Sequence, residues 1–577
     1  MTQSDRRTLH PFRYIMLASG WFLLAMPIHQ AQAAAPLRGN PLDGVDIPSP
    51  NALASQPPPA ATQAPPPSQA GVQNLLEQRL TIRNFDVSGA HTLPFAEISA
   101  ILEPLAGRTV TVAELAGEVN RITELYQQQG YLLSFAMLQQ QDFADGLVKV
   151  TVVEGYIGEV LIQGEDNPAV DRLDTLAQAL IDEKPLTRST LERTLGLMRA
   201  VPGIRITPKL DMPRRASGAT DLVLDVSHQA YALSGGVTNL GGNMQGIASV
   251  NLNSLTPLGE QTRLTAAIPT ASRSVRYYQG EITVPIGADG LALEVSGYHY
   301  KAEPEDAQLE SLGYTRKIYN ERLDVGLTYP LLLDNTRRLD LRAGFYGVQT
   351  LDDYTHESGR LWLEEKNRLR VARVELRYQG QSATQSHHLR LGMNQGFDAF
   401  GASKSLTSSA PGALEPPAHD LDFKRYHMSA EQNWVLPAQF GLTLAGTAQY
   451  SSDILPSIEQ ISFGSWNYGL GYPQGELAGD KGYGIAATLR RRFVADLDYL
   501  KVVEPYLRLD HARAWYNAPA WRVLEPRRLA SVALGMKLTD DRRYLLDINI
   551  AQPVGDRPLG RDDRRPRFNA NYSLFYQ

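Results

Sequence analysis

Few residues of this chain have types and spacings suited to making or breaking bonds. It has no Gly-x-Ser-x-Gly elbow for a serine nucleophile and no His-Glu-x-x-His pair for zinc. The absence of cysteine removes thiolate nucleophiles, thiolate–zinc sites and disulfides together. Gly475–Lys481 resembles a phosphate-binding loop only loosely. His387 and His388 are adjacent, and neighbours on a strand point to opposite faces, so they cannot chelate one metal. Arg490 and Arg492 are alternate residues sharing a strand face, and they suit the lining of an aqueous pore better than a fixed ligand. The expectation is a protein that is not an enzyme, with no catalytic residue, cofactor or metal.

The chain of 577 residues is too long for one core, and two to four units are expected. A net charge of -6 gives no basic field for nucleic acid. Arg6, Arg7 and Arg13 precede the apolar stretch Tyr14–Ile28, and Ala31-Gln32-Ala33 has peptidase spacing, so residues 1–33 read as a secretory signal peptide. No later run of 18 apolar residues occurs. The remainder is therefore either a soluble exported protein or a closed barrel. The 26 tyrosines against 15 phenylalanines lean towards strands at a wet–apolar boundary.

Residues 34–76 are rich in Pro, Ala and Gln and read as an extended linker. Two small α/β units follow, at 77–156 and 157–229. In the first, Thr81–Val87 has strand character, and Thr111-Val112-Ala113-Glu114 is a capping box opening a helix with Val112, Leu115, Val119, Ile122 and Tyr126 on one face. Gly130 ends that helix, and strands Tyr131–Gln139 and Leu147–Val153 turn at Asp145-Gly146. In the second, Gly158–Gln163 is a strand, Ser189–Glu192 caps a helix carrying Leu191, Leu195 and Met198, and Pro202-Gly203 stops it. Arg205–Leu210 and Asp221–Val226 form the closing hairpin.

These units resemble POTRA domains of polypeptide-transport outer-membrane proteins, through Gly130-Tyr131, Asp145-Gly146 and Glu154-Gly155. Arg193, within Leu191-Glu192-Arg193, and Pro202-Gly203 are similar to the second POTRA of the two-partner secretion transporters, the TpsB or ShlB/FhaC/HecB-like haemolysin secretion/activation family.

From 230 to 577 the chain changes to short alternating segments between turns. Ala248, Val250 and Leu252 alternate with Ser249, Asn251 and Asn253; Val503, Leu507 and Leu509 alternate with Glu504, Arg508 and Asp510. One face would meet lipid and the other a polar lumen. About 16 strands are expected. One set of connections is short: 256–260, 288–290, 333–336, 436–440, 495–498 and 539–542. The intervening set contains long stretches at 303–314, 354–364, 397–420, 456–479, 516–525 and 553–566, a parity that a barrel explains and a sandwich does not. The fold class is thus mainly β, an antiparallel transmembrane β-barrel preceded by two small α/β domains. Phe568, Ala570, Tyr572, Leu574 and Tyr576 share one face of the last strand, which resembles the assembly signal of such barrels with Gln577 in place of a terminal aromatic residue.

Phe463–Tyr472 resembles the family's inward-folded sixth outer loop, with its tip at Gly469, Leu470, Gly471 and Tyr472. Where relatives carry the tip arginine this chain has Leu470, and the wall acid corresponds to Asp510. Packing by Leu470 then replaces the family's ion pair, with Arg508 and Arg490 as alternative partners for Asp510. The resemblance further implies an outer-membrane monomer of a Gram-negative bacterium with its POTRA domains in the periplasm. Its implied partners are an unfolded exoprotein, adhesin or haemolysin-like, membrane lipid, and the barrel-assembly machinery during biogenesis. A plug helix occupies the linker position in relatives, where the helical pattern here is weak. A barrel-assembly insertase is the alternative reading, although such proteins usually carry three or more POTRA units.

Overall fold

The computed structural model describes residues 76–576, apart from residues 140, 142–144, 165–166, 214–216, 241–242, 269–274, 305–306, 410–413, 415, 518–527 and 560–562. The signal peptide, the linker with any plug helix, and most of 516–525 lie outside the described residues.

The first α/β unit comprises β1 (Arg79–Thr81), β2 (Asn84–Ser88), α1 (Phe95–Leu102), β3 (Thr109–Thr111), α2 (Val112–Gln128), β4 (Phe135–Leu138) and β5 (Leu147–Val153). β1 pairs with β3, while β2, β5 and β4 form a three-stranded sheet in that order. The single strand expected over Thr81–Val87 is thus two, because the chain leaves one sheet for the other at Ile82, whose backbone bonds instead to Arg108 and Gly107. The capping box at the start of α2 is complete, with Thr111 and Glu114 each satisfying the other's peptide N–H. Leu115, Val119, Ile122 and Tyr126 are buried, and Val112 only partly. The strand expected from Tyr131 begins at Phe135, since Tyr131–Ser134 form a turn.

The second unit repeats the plan: β6 (Tyr156–Gly164), α3 (Val170–Asp182), α4 (Arg188–Arg199), β7 (Ile204–Leu210) and β8 (Ala219–His228), with sheet order β6, β8, β7. The cap of α4 is Thr187, which accepts from the N–H of Thr190, so Ser189 and Glu192 already lie inside the helix. The Ser-x-x-Glu pattern drew the expected start two residues late, because the third residue after Thr187 is Thr190 and completes no box.

The two units share one construction. Leu133 of the first is buried in the second unit's core beside Leu173, Leu186 and Leu191. Arg188 donates its N–H to the Gly130 carbonyl (2.7 Å) and Leu186 to that of Gly155 (3.0 Å). A side chain at Gly155 would stand 2.2 Å from the Leu133 carbonyl oxygen, so only glycine admits this approach. Next to it, Glu154 accepts from the N–H groups of His91 and Thr92 (2.8 and 2.7 Å) and from the Tyr126 hydroxyl (2.9 Å). Tyr131 meets Tyr126 edge-on at 6.1 Å. Gly146 turns the chain into β5 at φ 68°, its carbonyl accepting from Arg83.

The barrel closes from β9 (Tyr231–Leu240) to β28 (Arg567–Tyr576) through antiparallel pairs throughout. In order it contains β10 (Asn243–Asn253), β11 (Gln261–Ile268), β12 (Arg276–Ile286), β13 (Leu291–Ala302), β14 (Tyr314–Leu333), β15 (Arg337–His356), β16 (Trp362–Gln381), β17 (Gln385–Gly396), β18 (Ser403–Ser408), β19 (Lys424–Val435) and β20 (Phe440–Tyr450). Within the next connection lie β21 (Ile461–Phe463) and β22 (Leu477–Gly479), which pair only with each other. β23 (Lys481–Arg491), β24 (Phe493–Leu497), β25 (Leu500–Trp515), β26 (Arg528–Thr539) and β27 (Tyr544–Pro553) complete the wall. β17 and β18 both pair with β16, and β23 and β24 both pair with β25, so each couple is one interrupted strand and the barrel has 16.

Ser249, Asn251, Asn253 and Asp510 are buried inside, while Leu507 and Leu509 are exposed outside. Outward residues of β28 are those expected, Phe568 through Tyr576 in steps of two. The region 354–364, expected as a long loop, is mostly strand: β15 and β16 stay paired to Thr355 and Trp362, leaving only Glu357–Leu361 as a turn. Both 20-residue strands are longer than a membrane crossing needs. Beyond the apolar band both faces can be wet, so alternation stops there while pairing continues.

Burial alone would raise the Glu154 pKa. The N–H donors of Thr92 and His91 and the Tyr126 hydroxyl more than reverse this, holding the carboxyl below its ordinary value. Its stabilisation is therefore complete above the ordinary glutamate value of 4.5 and is lost as pH falls below it towards the folded value. Replacing Glu154 by alanine at neutral pH should cost the first unit about 2 kcal/mol. Hydrogen exchange of the full chain in detergent should show lower protection at 91–93 and 122–127; unchanged protection would refute the clamp.

Candidate functional site

Most of the sequence-predicted residues outside the first unit gather at two places. One is the contact between the second unit and the turn-side rim of the barrel. Its second helix, α4, lies on the turns joining β12 to β13 and β14 to β15. Arg193 donates to the carbonyls of Pro330 (3.1 Å) and Asp289 (2.9 Å) and to the Tyr329 hydroxyl (3.3 Å), and its guanidinium stands over the Tyr329 ring at 5.7 Å. Arg199 reaches Asn335 (3.2 Å), and Arg172 on α3 donates to the Gly287 carbonyl. Pro202 offers its carbonyl to Ser254 (2.6 Å), and Gly203, at φ 75°, accepts from Gln229 at the entry to β9. Of the resemblance positions, Gly130 and Gly155 thus build the joint between the units, Tyr131, Gly146 and Glu154 serve the first unit itself, and Arg193, Pro202 and Gly203 build the joint to the barrel.

The other place is the lumen. The connection between β20 and β23, the eleventh and twelfth strands, folds inward as a hairpin on β21 and β22. Its neck is drawn together by the fully buried Asp480, which accepts from the N–H groups of Leu455 (2.9 Å) and Asn517 (2.6 Å). Gly475–Lys481 therefore closes a loop and runs into a strand, with no helix N-terminus to hold phosphate.

At the tip, Leu470 is 0% exposed and packs on Ala533 of β26, Ala551 of β27 and Trp466. Its N–H donates to Asp510 (3.2 Å), and its carbonyl accepts from Asn569 of β28 (3.1 Å). Gly471 donates to Ser531 (3.0 Å), at a position where a β-carbon would stand 2.7 Å from the Pro553 nitrogen. Tyr472 is buried with Phe463, Ala512, Ala514 and Leu529 and donates to the Asp556 carbonyl (2.9 Å). Arg508 lies 3.8 Å from the Asp510 oxygen that takes the Leu470 N–H. Arg490 instead points at Asn433, Thr443 and, at 3.6 Å, Glu504.

Sequence reasoning missed the loop's other anchor. Glu459, 2% exposed just before β21, meets Arg425 of β19 (3.2 Å) and the Tyr346 hydroxyl of β15 (2.7 Å). Its carbonyl accepts from Gln449 (3.0 Å), and Arg322 stacks over the Tyr346 ring at 3.6 Å. Here the loop carries the acid and the wall the arginine. A lone carboxylate among Leu455, Ile458, Ile461 and Phe463 was the available signal. Behind it the wall is a charge lattice: Asp324 lies 2.7, 2.8 and 3.5 Å from Arg322, Arg373 and Arg342, while Glu375 is surrounded by Arg377, Arg390 and His427.

His387 stacks on Tyr378, and its strand register sends His388 to the opposite face. Arg492 departs from the expectation of a shared lumenal face with Arg490. It falls at the break between β23 and β24, where its backbone bonds to Gln439 and its side chain pairs with Asp541 in a turn (2.8 Å).

These contacts rank the tip residues. Leu470→Ala should cost about 2–5 kcal/mol of loop attachment, as a buried leucine truncated in place. Asp510→Ala removes one acceptor, about 1–3 kcal/mol, and Asp510→Asn, which keeps one, should be nearly silent. Glu459→Ala strands Arg425 and should release the loop most, by about 3–5 kcal/mol. Planar-bilayer conductance should rise in the order Asp510→Asn, Asp510→Ala, Leu470→Ala, Glu459→Ala; a silent Glu459→Ala would show that this anchor is not used.

A family model of the ShlB-type POTRA domain matches residues 80–155, and a model described as haemolysin secretion/activation protein ShlB/FhaC/HecB matches residues 218–538. The heme/hemopexin transporter protein HuxB of Haemophilus influenzae (strain 86-028NP) is 21% identical over 476 residues, covering 79% of this chain and 80% of that protein. The hemolysin transporter protein ShlB of Serratia marcescens is 26% identical over 436 residues, covering 72% and 73%. In fold, CdiB from Escherichia coli aligns over 99% of this chain and 100% of that one with a TM-score of 0.67 at 18% identity. Family members are transporters of Gram-negative outer membranes. With the second model spanning more than half of its length, the chain belongs to the ShlB/FhaC/HecB family of two-partner secretion transporters.

Proposed function

We propose that the chain, with POTRA units at 77–156 and 157–229 in the periplasm and its barrel over 230–577, captures an unfolded exoprotein and exports it through the lumen. The observation that carries this reading is the clamp of α4 on the barrel rim: a polypeptide held by the second unit is held at the pore's periplasmic mouth. Capture occurs by strand addition, in which main-chain hydrogen bonds give affinity without demanding much sequence. β6 suits this role. It pairs only with β8, and its nine residues make it the longest edge strand of the two sheets, whereas the edge strand β7 contains Pro208.

The inward loop then gives way to the moving chain, and folding of the exoprotein outside draws it forward, since no nucleotide is available at this membrane. The partner is a large adhesin or haemolysin-like exoprotein with an N-terminal secretion domain. Membrane lipid surrounds a monomeric barrel, and the outward face of β28 addresses it to the assembly machinery.

Deleting either unit should abolish secretion while leaving the heat-modifiable gel migration of an inserted barrel intact. Proline introduced singly at Val160 and at Leu161 tests the edge. Successive N–H groups on a strand point to opposite sides, so one of the two variants loses only its outward donor. That one should fold and secrete poorly; normal secretion by both, or by residues 230–577 alone, would overturn the docking model.

A further inference from the structure

Among the described residues two register pairs on the outward face set like charges opposite each other: Arg276 with Lys301, whose ammonium stands over the Tyr319 ring (4.8 Å), and a second pair in which one guanidinium nitrogen is buried without a partner. Arg513 of β25 and Arg528 of β26 are register partners, on adjacent strands directly opposite each other. Both point outward, because their neighbours Ala512, Ala514 and Leu529 are buried in the lumen against the inward loop. Like charges directly opposite on a sheet are destabilising unless something between them is negative. Among the described residues no carboxylate lies within ion-pair distance of either guanidinium; Asp556 takes the Arg528 backbone N–H (2.7 Å). The Arg513 Nε is buried without a hydrogen-bond partner.

The surroundings give the depth of the pair. Below Arg528 the outward residues of β26 are Ala530, Val532, Leu534, Met536 and Leu538, a band about 27 Å long along the strand and about 20 Å tall at the usual tilt, the span of nine residues that a tilted strand uses to cross the hydrocarbon layer. Below Arg513 the outward leucines Leu509 and Leu507 continue the same band on β25. Both arginines are at the loop-side ends of their strands, so they stand at the headgroup level of the outer leaflet. Aromatic rings frame them: Trp515 lies under the Arg513 guanidinium at 5.3 Å, and Tyr483 lies 6.0 Å from Trp515 and 5.8 Å from His511. Lys481 is the register partner of Trp515 and shares this outward face.

We propose that Arg513 and Arg528, with Lys481 at the margin, hold a phosphate group of the phosphorylated glycolipid in the outer leaflet. Planar guanidiniums suit bidentate contact with phosphate. Trp515 and Tyr483 lie against the sugar and the start of the acyl chains, the interfacial position such rings favour.

The test uses the full chain in nanodiscs. Native mass spectrometry should count glycolipid molecules retained through purification, and binding should be titrated with lipid A, with lipid A stripped of its phosphates, and with inorganic phosphate. Wild type should retain lipid A and bind the stripped form at least about tenfold more weakly. Arg513→Gln and Arg528→Gln should each lose about tenfold or more, Arg→Lys at both positions should recover part of it, and Lys424→Gln, an outward cation on β19 whose register partner is the uncharged Gln395, should lose nothing. Equal binding of stripped lipid A, displacement by inorganic phosphate, or unchanged retention in Arg513→Gln/Arg528→Gln would overturn the assignment. So would wild type holding no glycolipid while the arginine variants fail in secretion, which would make the patch a protein contact. Gel heat-modifiability confirms that each variant is folded, and the Arg→Lys pair keeps the test open if glutamine variants do not insert.

Discussion

A peptide segment lying inside a water-filled barrel must find, group by group, replacements for the water it displaces. Each buried N–H or carbonyl left without a partner costs about 1–3 kcal/mol. The loop between β20 and β23 meets this constraint with wall side chains. Asp510 and Ser531 take the N–H groups of Leu470 and Gly471, Asn569 gives to the Leu470 carbonyl, and Gln449 gives to that of Glu459. The lumenal alternation of polar residues on β20, β25, β26 and β28 is therefore a set of positioned partners for one peptide as well as a hydrophilic lining. Asp510 shows why a wall carboxylate persists opposite a leucine: it serves the backbone of the tip, which every residue type provides.

The same constraint places charge. Burying one ionised group alone is prohibitive, while a pair with further hydrogen bonds is tolerable. Glu459 enters the lumen where Arg425 and Tyr346 already face it, and Arg322 over the tyrosine ring adds a second cation. Apart from the Leu470 packing and the Glu459–Arg425 pair, each bond along the loop is replaceable by water, so the rest of its attachment is a sum of modest, separable terms. In the export proposed above, that suits a segment which holds an idle pore shut and yields to a passing chain.

Much of this was legible in the sequence. Period-two alternation in Ser249–Asn253 and Val503–Asp510, and the parity of connection lengths, both follow from a wall with one wet and one lipid face; the alternation reappears in the barrel, and the parity does so among the described connections except between β15 and β16. Thr111 and Glu114 announced α2 because a capping box is local chemistry. What escaped was non-local or lay beyond the reach of a local pattern. Glu459 looks like any loop acid until β19 and β15 are brought beside it. The outer halves of β15 and β16 lost their alternation above the membrane and looked like loop. Thr187 lacks the glutamate that completes a box, so Ser189 took its place in the expected helix start. The POTRA positions were identified by resemblance, and only the structure gives their reason: Gly155 and Gly130 let the two units touch, and Arg193 ties them to the rim.

The contrast between the two joints indicates which parts of the molecule can move. Between the units the connection is apolar and continuous, with Leu133 inside a neighbouring core, and truncating such a residue typically costs several kcal/mol. Such a joint does not exchange with water in steps; it either holds or comes apart. The Arg193 contacts at the rim converge on the β12–β13 turn and the turn-side end of β14, which are themselves held by strand pairing, so they fix orientation as well as contact. The loop is held by its tip leucine, a tyrosine cluster, the Glu459–Arg425 pair and a series of hydrogen bonds, and the hydrogen bonds are ones that water can take over singly. In the proposed export, a chain held by the second unit meets a rigid rim and a yielding obstruction, and the force of its passage falls on the element whose hydrogen bonds water can replace one at a time.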